Sequence, residues 1–518
     1  MKDNEQRNSP DGLKQNRVNN SFRSLVIGFA AMLLITLAPF LIRMLMMKYL
    51  GESYVGLNGV LQSTIWILNI SELGIGSVMV YFLYEPAAQG DERQLNAYLM
   101  EIRRLYRFVA GLIFIGGILV LPFLPMLISD GVVQNENIYL LFLCYLAAII
   151  LQYWMWPEIA SLFTAFQRAD LQYTVTLLTQ SVTYGMQILA ICVFQSFFFY
   201  IAAVVFQAVA AGLLQFAFRR KYFKGCIPKG RLKHEKKKEV YRRIVSMIGH
   251  QMDEKLLGNV DNLFISAFLG LEVVAVYGNY MFVVTAISML LNTVYSSVIA
   301  SIGNAMAVES RKSNMVRFDC MLFLSNLLAG WSTACMLCMC QTFMGMWMPD
   351  HLLPMNLVVF ICLYSYIIQM RRSVQTFKNA GGMWYNDRFK PYISMTVDLA
   401  LDYVLIKAIG LHGAIISTII CVGAIEFPWE MHVLFKDYFN CGEKKYFKRV
   451  FIYTVVNGGL CAMLFYATNR FIAGQGIIPL VKQVLLCTVG TVFFYLVIYK
   501  DCEEMRIWKN TIMELIIR

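Results

Sequence analysis

The chain has 518 residues, of which 58% are hydrophobic and only 15% are charged, and its mean hydropathy is +0.56. Because soluble domains carry about 25% charged residues, this composition excludes an ordinary soluble enzyme. A formal net charge of +12 suggests a nucleic-acid partner in a soluble protein, so the positions of the Lys and Arg residues decide what the charge means here.

Fourteen apolar runs are predicted to be transmembrane helices, because each has about the 20 residues that cross the hydrocarbon core. The first six lie at 24–48, 57–84, 108–128, 138–156, 171–194 and 197–218. The next six lie at 244–268, 273–302, 321–347, 355–370, 392–409 and 413–435, and the last pair at 450–468 and 478–499. We therefore expect an all-α integral membrane protein with two six-helix bundles, at 24–218 and 244–435, and two extra helices within 450–499.

The orientation follows from the basic residues in the remaining segments. Of the 45 Lys and Arg residues, 39 lie in the tails 1–23 and 500–518, in the linker 219–243, in the loop 436–449 and in the other loops on the same side. Five lie on the opposite side. Cytoplasmic loops are rich in Lys and Arg, so both termini are predicted to be cytoplasmic. Topology and attraction to anionic phospholipid thus explain the charge, and no nucleic-acid partner is expected.

An internal repeat is indicated by a short motif that recurs at an offset of 219 residues. Tyr49-Leu50-Gly51 corresponds to Phe268-Leu269-Gly270, and the same offset carries the start of the first run to the start of the seventh. Parallel repeats with a site at their interface are a recurring design of secondary transporters. The sequence therefore predicts two related bundles in the same orientation around a central cavity.

Three blocks of motifs carry a family resemblance. The first comprises Tyr49-Leu50-Gly51, Gly56-Leu57-Asn58-Gly59, Glu72-Leu73-Gly74-Ile75-Gly76, Leu83-Tyr84 and Pro86-Ala87. The second comprises Asp261-Asn262-Leu263-Phe264-Ile265-Ser266-Ala267-Phe268-Leu269-Gly270, Tyr277 and Tyr280, and a looser third runs from Gly381 through Asp387-Arg388 to Gly413. Over residues 17–435 the chain resembles the bacterial polysaccharide transporters, the O-antigen and capsule flippases of the multidrug/oligosaccharidyl-lipid/polysaccharide exporter superfamily.

The resemblance implies two bundles around a cavity that move an undecaprenyl-diphosphate-linked oligosaccharide across the bacterial cytoplasmic (inner) membrane for cell-surface polysaccharide biosynthesis. We expect alternating access coupled to H⁺ or Na⁺, no other cofactor and no enzymatic activity. The expected partners are the lipid-linked oligosaccharide, anionic phospholipid, and the polysaccharide polymerase and glycosyltransferases of the same process.

Two alternative functions remain open. The first is a multidrug/cation antiporter of the same superfamily, which would need a more apolar cavity. The second is an integral-membrane polysaccharide polymerase, ligase or acyltransferase, but such an enzyme needs a sizeable outer loop for its catalytic residues. The predicted outer loops, 131–137 and 349–354 among them, are short. A soft-ligand stretch with Cys335, Cys338 and Cys340 lacks convergent ligands, so no metal site is expected.

Arg43 and Glu72 are charged residues within the first two runs. Such groups are costly in hydrocarbon and indicate a cavity, a partner or a function. Arg43 follows Pro39 by one helical turn, so it either binds a substrate phosphate or sugar in the cavity or extends to the outer membrane surface. Glu72 either accepts structural hydrogen bonds between helices or couples an ion.

The seventh run is the most polar one. At about 100° per residue, four of its ionisable groups share one helical face, while Lys255 points away from them. The face looks into the predicted cavity, or residues 244–256 lie on the cytoplasmic surface as an amphipathic helix. We assign substrate binding to two of these residues, His250 and Lys255, and ion coupling to three, Asp253, Glu254 and Asp261.

Two further pairs complete the predicted site. Asp398 and Asp402 lie one turn apart in the eleventh run, where neighbouring carboxylates favour a shared proton or a bound cation; hydrogen bonds from adjacent hydroxyls are the alternative. Arg371 and Arg372 follow the tenth run at the predicted cytoplasmic mouth and are expected to bind substrate headgroups or anionic lipid.

Overall fold

The structure is a computed structural model that describes residues 10–69, 75–128, 136–166, 168–244, 259–383, 386–472, 474 and 476–507. The main helices of the first half are α1 (Pro10–Tyr49), α2 (Glu52–Leu68), α3 (Ile75–Gln89), α4 (Glu92–Leu127), α5 (Ile138–Trp154), α6 (Glu158–Ala165), α7 (Ala169–Cys192) and α8 (Phe197–Tyr222). Those that follow are α9 (Asn259–Leu269), α10 (Leu271–Val308), α11 (Arg311–Trp347), α12 (Met355–Ala380), α13 (Lys390–Ile409), α14 (Leu411–Phe439), α15 (Lys444–Phe471) and α16 (Ile477–Ile498). The described residues contain no β-strand.

Ten of the described helices are long and apolar enough to cross a membrane. Helices α5 and α6, bent by 49° relative to each other, form an eleventh candidate if they are one span. The all-α membrane architecture is thus confirmed. The number of fourteen spans stays a prediction, and so does the repeat.

The helices extend beyond the apolar runs by several turns, which is where the predicted boundaries differ most from the structure. Helix α4 begins at Glu92 rather than at 108, and α11 begins at Arg311 rather than at 321. Hydropathy marks only the part of a helix that lies in hydrocarbon, whereas capping determines its end. The N-cap of α4 is Asp91, whose side chain accepts a 2.9 Å hydrogen bond from Gln94 N; Ser310 has the same role for α11.

The described residues form two compact units, Met1–Ala275 and Val276–Arg518. In the first unit, α7 packs along α1 and α8, and α5 packs between α4 and α8. Helix α9 belongs to this unit because it packs against α2 and the end of α4. The division therefore lies after the predicted linker 219–243, and the predicted domain boundaries stay predictions.

The helix α2 approaches the backbone of α10 very closely within the first unit. A Cβ atom at Gly56 would lie 2.0 Å from the carbonyl oxygen of Leu271, so only glycine allows this contact.

Two turns at corresponding positions of the predicted repeat also adopt similar conformations. Gly51, between α1 and α2, has a φ of 104°, and Gly270, between α9 and α10, has a φ of 98°.

A group of aromatic side chains around Phe318 forms part of the core of the second unit. The ring of Phe318 lies 5.3 to 5.8 Å, between centroids, from four other rings that come from α12, α14 and α15: Phe377, Phe435, Phe439 and Tyr446. Aromatic pairs at these separations stabilise a core beyond the area that they bury. The long helix α11 is therefore held against three other helices at this end of the unit.

The last two helices are joined to α11 by a buried hydrogen-bond network. Asn457 Nδ2 of α15 donates to Asn326 Oδ1 of α11 at 2.7 Å. The Tyr495 hydroxyl of α16 lies 2.9 Å from Asn457 Oδ1 and 2.8 Å from the Asn326 carbonyl oxygen, and donates towards both. Gly330 makes room for this network, since a Cβ there would lie 2.4 Å from Asn457 Oδ1. Polar side chains thus position α15 and α16 in an otherwise apolar environment.

Candidate functional site

Five of the predicted site residues lie outside the described residues, and their roles stay predictions: Glu72, His250, Asp253, Glu254 and Lys255. The others are described below, first those of the N-terminal unit.

Arg43 lies half-buried on α1 among polar groups of the first unit. Its Nη2 donates to the carbonyl oxygen of Ala275 at 3.3 Å. It also interacts electrostatically with Tyr200 of α8. A guanidinium has five donors in a planar fork, so Arg43 can contact several polar groups at once. Arg43 is therefore built into a polar site within the membrane helices.

Tyrosine and asparagine side chains extend this polar site across three more helices. The Tyr145 hydroxyl of α5 donates to Asn58 Oδ1 of α2 at 2.5 Å, and Tyr200 of α8 lies next to Asn58. Tyr145 and Tyr200 are buried. We name these four residues, Arg43, Asn58, Tyr145 and Tyr200, the Arg43 cluster. A cation with hydroxyl and amide groups matches the chemistry of phosphate and sugar recognition.

The sequence analysis missed the two tyrosines of the Arg43 cluster. Helical periodicity does not separate a Tyr that forms hydrogen bonds from one that only packs, since both are found on apolar faces. Asn58 was identified only as part of a family motif. An Asn in an apolar run needs a hydrogen-bond partner, and this is the signal that the sequence offers for Asn58.

Asp261 is completely buried near the start of α9. The next residue, Asn262, donates from Nδ2 to Ser63 Oγ of α2 at 3.0 Å, and Ser266, one turn further on, donates to the carbonyl oxygen of Leu127. These hydrogen bonds hold α9 against α2 and α4. The carboxylate of Asp261 is therefore carried by a helix whose rotation and depth are set by polar contacts within the first unit.

Asp398 and Asp402 are both buried on α13 in the second unit, as the helical spacing predicts. A carboxylate oxygen of one lies within 4.8 Å of a carboxylate oxygen of the other. Asp402 also accepts a hydrogen bond from the Ser417 hydroxyl of α14. At this separation two ionised carboxylates repel each other strongly in a low-dielectric environment. A proton or a cation on the pair relieves that repulsion.

A second group of buried charges lies in the same unit and connects α12, α13 and α14. Among the residues that the structure describes, it comprises three cations and three carboxylates: Arg371, Lys378, Lys390, Asp387, Glu426 and Glu430. We name this group the ion-pair network. Its formal charges balance, which is what allows charged groups to remain buried.

Glu430, which is 1% exposed, is the centre of the ion-pair network. Its Oε2 accepts from Arg371 Nε at 2.7 Å, and its Oε1 accepts from Arg371 Nη2 at 2.8 Å. Lys378 Nζ and Lys390 Nζ also donate to Oε1, at 3.0 and 2.9 Å. Arg371 pairs with Glu426 in addition, and Lys378 pairs with Asp387.

The ion-pair network changes the interpretation of Arg371. Arg371, expected at the cytoplasmic mouth, is buried against two carboxylates, so an anionic headgroup would have to compete with them. Arg372 is half-buried and interacts electrostatically with Tyr295. Around Pro428, α14 is continuous and contains π-helical turns at Cys421–Glu426 and Leu434–Phe439. Lys378 and Lys390 were missed because hydropathy assigned them to a loop.

Several solved structures share this fold. The lipid II flippase MurJ, in an inward closed conformation, superposes with a TM-score of 0.65 and 12% identity over 92% of this chain and 99% of its own. An inward-facing multidrug resistance MATE family transporter has a TM-score of 0.61 and 11% identity over 79% and 98%. A transporter of the same superfamily from Pyrococcus furiosus has a TM-score of 0.53 and 10% identity over 80% and 95%. None of the curated proteins compared with the chain matches it.

The apolar helices and this fold define the class of the protein, a multi-pass helical membrane protein whose fold is shared by a MATE family transporter and the lipid II flippase MurJ. Within that class, residues 22–300 match the family described as polysaccharide biosynthesis protein. This match covers more than half of the chain, and the chain belongs to that family. The family resemblance found in the sequence is thereby confirmed.

Proposed function

We propose that the protein is a flippase that moves an undecaprenyl-diphosphate-linked oligosaccharide from the inner to the outer leaflet of the bacterial cytoplasmic membrane. The observation that carries this proposal is the family match over residues 22–300, together with a fold shared with a lipid II flippase.

The Arg43 cluster is the proposed contact for the polar part of the substrate. A diphosphate that enters a low-dielectric site must be met by cations or N–H donors, and the guanidinium fork suits phosphate oxygens. Asn58, Tyr145 and Tyr200 provide hydroxyl and amide groups for sugar hydroxyls. These groups come from four helices of one unit, so a small movement of any helix changes the spacing of the site.

We propose that buried carboxylates couple transport to a cation. Asp261 and the pair Asp398 and Asp402 are the candidates. The pair is the stronger one, because its carboxylate oxygens lie within 4.8 Å of each other and a proton or Na⁺ lowers the energy of that arrangement. A ligand changes a conformational equilibrium only if it binds one state more tightly, so release of the cation when the substrate binds would link the two events.

The experiment that tests the flippase role measures surface polysaccharide in cells whose own gene has been deleted and which express the chain from a plasmid. Arg43→Gln removes the guanidinium, and we expect export to fall at least tenfold at unchanged protein level in the membrane. Arg470→Gln is the matched control, because Arg470 is an exposed arginine at the end of α15. Normal export by Arg43→Gln would contradict the proposed substrate contact.

The coupling role is tested separately in vesicles that contain the purified protein. Asp402→Asn keeps the size of the side chain and its acceptor oxygen towards Ser417, but it cannot bind a proton or a metal cation in the same way. We expect transport by wild type to depend on an imposed H⁺ or Na⁺ gradient and transport by Asp402→Asn to lose that dependence. An unchanged gradient dependence would show that the pair does not couple transport.

The multidrug antiporter remains the alternative, because MATE family transporters share the fold. For deletion of the gene, an antiporter predicts the opposite outcome from a flippase. Deletion of the gene would sensitise cells to cationic drugs such as ethidium and would leave surface polysaccharide unchanged. Measuring both in the same deletion strain separates the two functions.

A further inference from the structure

A basic pocket lies at the surface of the first unit, where the linker 219–243 folds back on the start of α4. Its volume is about 550 Å³, a size typical of small-ligand sites. Three exposed cations line it: Arg93 from α4, and Lys229 and Arg231 from the linker. We name it the linker pocket.

Contacts on both sides hold the linker in place against α4. Asn96 Nδ2 donates to the Gly225 carbonyl oxygen at 3.2 Å, and the Asn96 carbonyl oxygen accepts from Lys229 N at 3.2 Å. Further along the linker, Lys237 Nζ lies 3.1 Å from Glu101 Oε1, and the Tyr241 hydroxyl donates to the same oxygen at 3.1 Å. Two of the three cations of the linker pocket, Lys229 and Arg231, are therefore carried by a segment that is docked at four points.

An unsatisfied acceptor in the wall of the pocket points to a specific ligand. Asn96 lines the pocket and is 2% exposed, and within the described part of the chain its Oδ1 has no hydrogen-bond partner. Leaving a buried acceptor without a donor costs free energy, and each such atom needs an explanation. A hydroxyl group of a ligand in the pocket would donate to this oxygen, and the carboxylate of Glu92, also in the lining, offers a second acceptor.

We propose that the linker pocket binds a phosphorylated polyol or sugar. The pocket would contact both the phosphate group and a hydroxyl group close to it in the same molecule. The three cations match the phosphate oxygens, and Asn96 Oδ1 matches the hydroxyl. This chemistry has two sources, a free phosphorylated polyol and the glycerol headgroup of phosphatidylglycerol. The site is separate from the Arg43 cluster and does not depend on the proposed flippase activity.

The experiment uses the purified full-length protein in nanodiscs. In the first arm the lipid is phosphatidylcholine, and glycerol 3-phosphate and inorganic phosphate are titrated by calorimetry. In the second arm the nanodiscs contain a fixed fraction of phosphatidylglycerol, and the phosphatidylglycerol that remains bound is counted by native mass spectrometry. Binding in the first arm identifies a free phosphate as the source, and binding in the second arm alone identifies the lipid headgroup.

Two double variants separate the pocket from general electrostatic attraction. Arg93→Gln with Arg231→Gln removes two lining cations. We expect the dissociation constant to rise at least tenfold, or the bound fraction of lipid to fall at least tenfold. Lys224→Gln with Lys233→Gln removes two exposed linker cations that do not line the pocket, and we expect a change below twofold. Equal losses in the two variants, or no binding in either arm, would overturn the proposal.

A single variant tests the role of the unsatisfied acceptor. Asn96→Ala removes Oδ1, so it should weaken glycerol 3-phosphate, or phosphatidylglycerol, more than fivefold and leave binding of inorganic phosphate within twofold. Because Asn96 also holds Gly225, binding of inorganic phosphate reports whether the linker is still docked. If the affinities for the hydroxyl-bearing ligand and for inorganic phosphate change by the same factor, Asn96 does not recognise a hydroxyl.

Discussion

The ion-pair network makes a strong prediction about Glu430. Replacing Glu430 by Gln keeps the shape of the side chain and removes one negative charge, which leaves three buried cations facing two carboxylates. The side-chain oxygens of Glu430 accept four hydrogen bonds from Arg371, Lys378 and Lys390. A neutral amide has only one acceptor oxygen, and its NH₂ group cannot accept from any of these cations.

The expected loss follows from the cost of an uncompensated buried charge. Removing one partner of a buried ion pair destabilises a protein by about 3–5 kcal/mol. Here Arg371 keeps Glu426 and Lys378 keeps Asp387, so we expect the free energy of unfolding to fall by about 3 kcal/mol, at the lower end of that range.

The assay is unfolding of the purified full-length protein in one detergent, followed by tryptophan fluorescence at increasing denaturant. Glu239→Gln is the matched control, because Glu239 forms a solvent-exposed pair with Arg243 at 3.0 Å, and exposed helical pairs of this spacing contribute about 0.3–0.5 kcal/mol. If Glu430→Gln unfolds at the same denaturant concentration as Glu239→Gln, the network does not stabilise the second unit and the reasoning is wrong.

Two further predictions concern close packing and buried hydrogen bonds. Gly56→Ala places a Cβ 2.0 Å from the Leu271 carbonyl oxygen and should lower the free energy of unfolding by about 1–3 kcal/mol. Gly59→Ala is the control, because the nearest atom to its Cβ is 3.4 Å away, and it should cost less than about 1 kcal/mol. Equal denaturation midpoints of the two variants would contradict this prediction. Asn457→Leu leaves the Tyr495 hydroxyl and its neighbours on α11 with fewer partners and should cost about 1–3 kcal/mol. Limited proteolysis should then cleave the connection between α15 and α16 faster than in wild type, and an unchanged cleavage rate would refute the role of this network.

The sequence predicted the helices better than it predicted the site, for a physical reason. A membrane helix must show about 20 apolar residues in a row, and this local signal located the runs that the described helices occupy. Helix ends depend on single capping residues such as Asp91, so the apolar runs underestimated α4 by several turns. The Arg43 cluster depends on contacts such as that between Asn58 and Tyr145, 87 positions apart, which periodicity along one helix does not encode.

The position of a charged residue in the sequence also does not indicate what that residue does. Asp398 and Asp402 were predicted to share a face because they lie one turn apart, and they do. Arg371 was selected because it follows an apolar run, but its partners, Glu426 and Glu430, are more than fifty residues later in the chain. A charge in a membrane protein therefore has to be interpreted together with the residues that the fold brings to it.

Arg43 and Arg371 lead to a last prediction, because their surroundings differ. Arg371 bonds two carboxylates within a network whose formal charges balance, and a neutral network exerts little attraction on an anion. Arg43 shares its cluster with the amide and hydroxyl groups of Asn58, Tyr145 and Tyr200, which can bind a substrate together with it. A phosphate should therefore interact more favourably with Arg43.

We expect Arg43→Gln to reduce export while the amount of folded protein in the membrane stays within twofold of wild type. We expect Arg371→Gln to lower the amount of folded protein, because it leaves two buried carboxylates with too few cations. Export per molecule of folded protein should then change little. Export per molecule of folded protein, measured for both variants by quantitative immunoblotting and surface-polysaccharide staining, separates the two roles. A loss of export per folded molecule in Arg371→Gln equal to that in Arg43→Gln would assign substrate binding to both arginines and refute the distinction drawn from their partners.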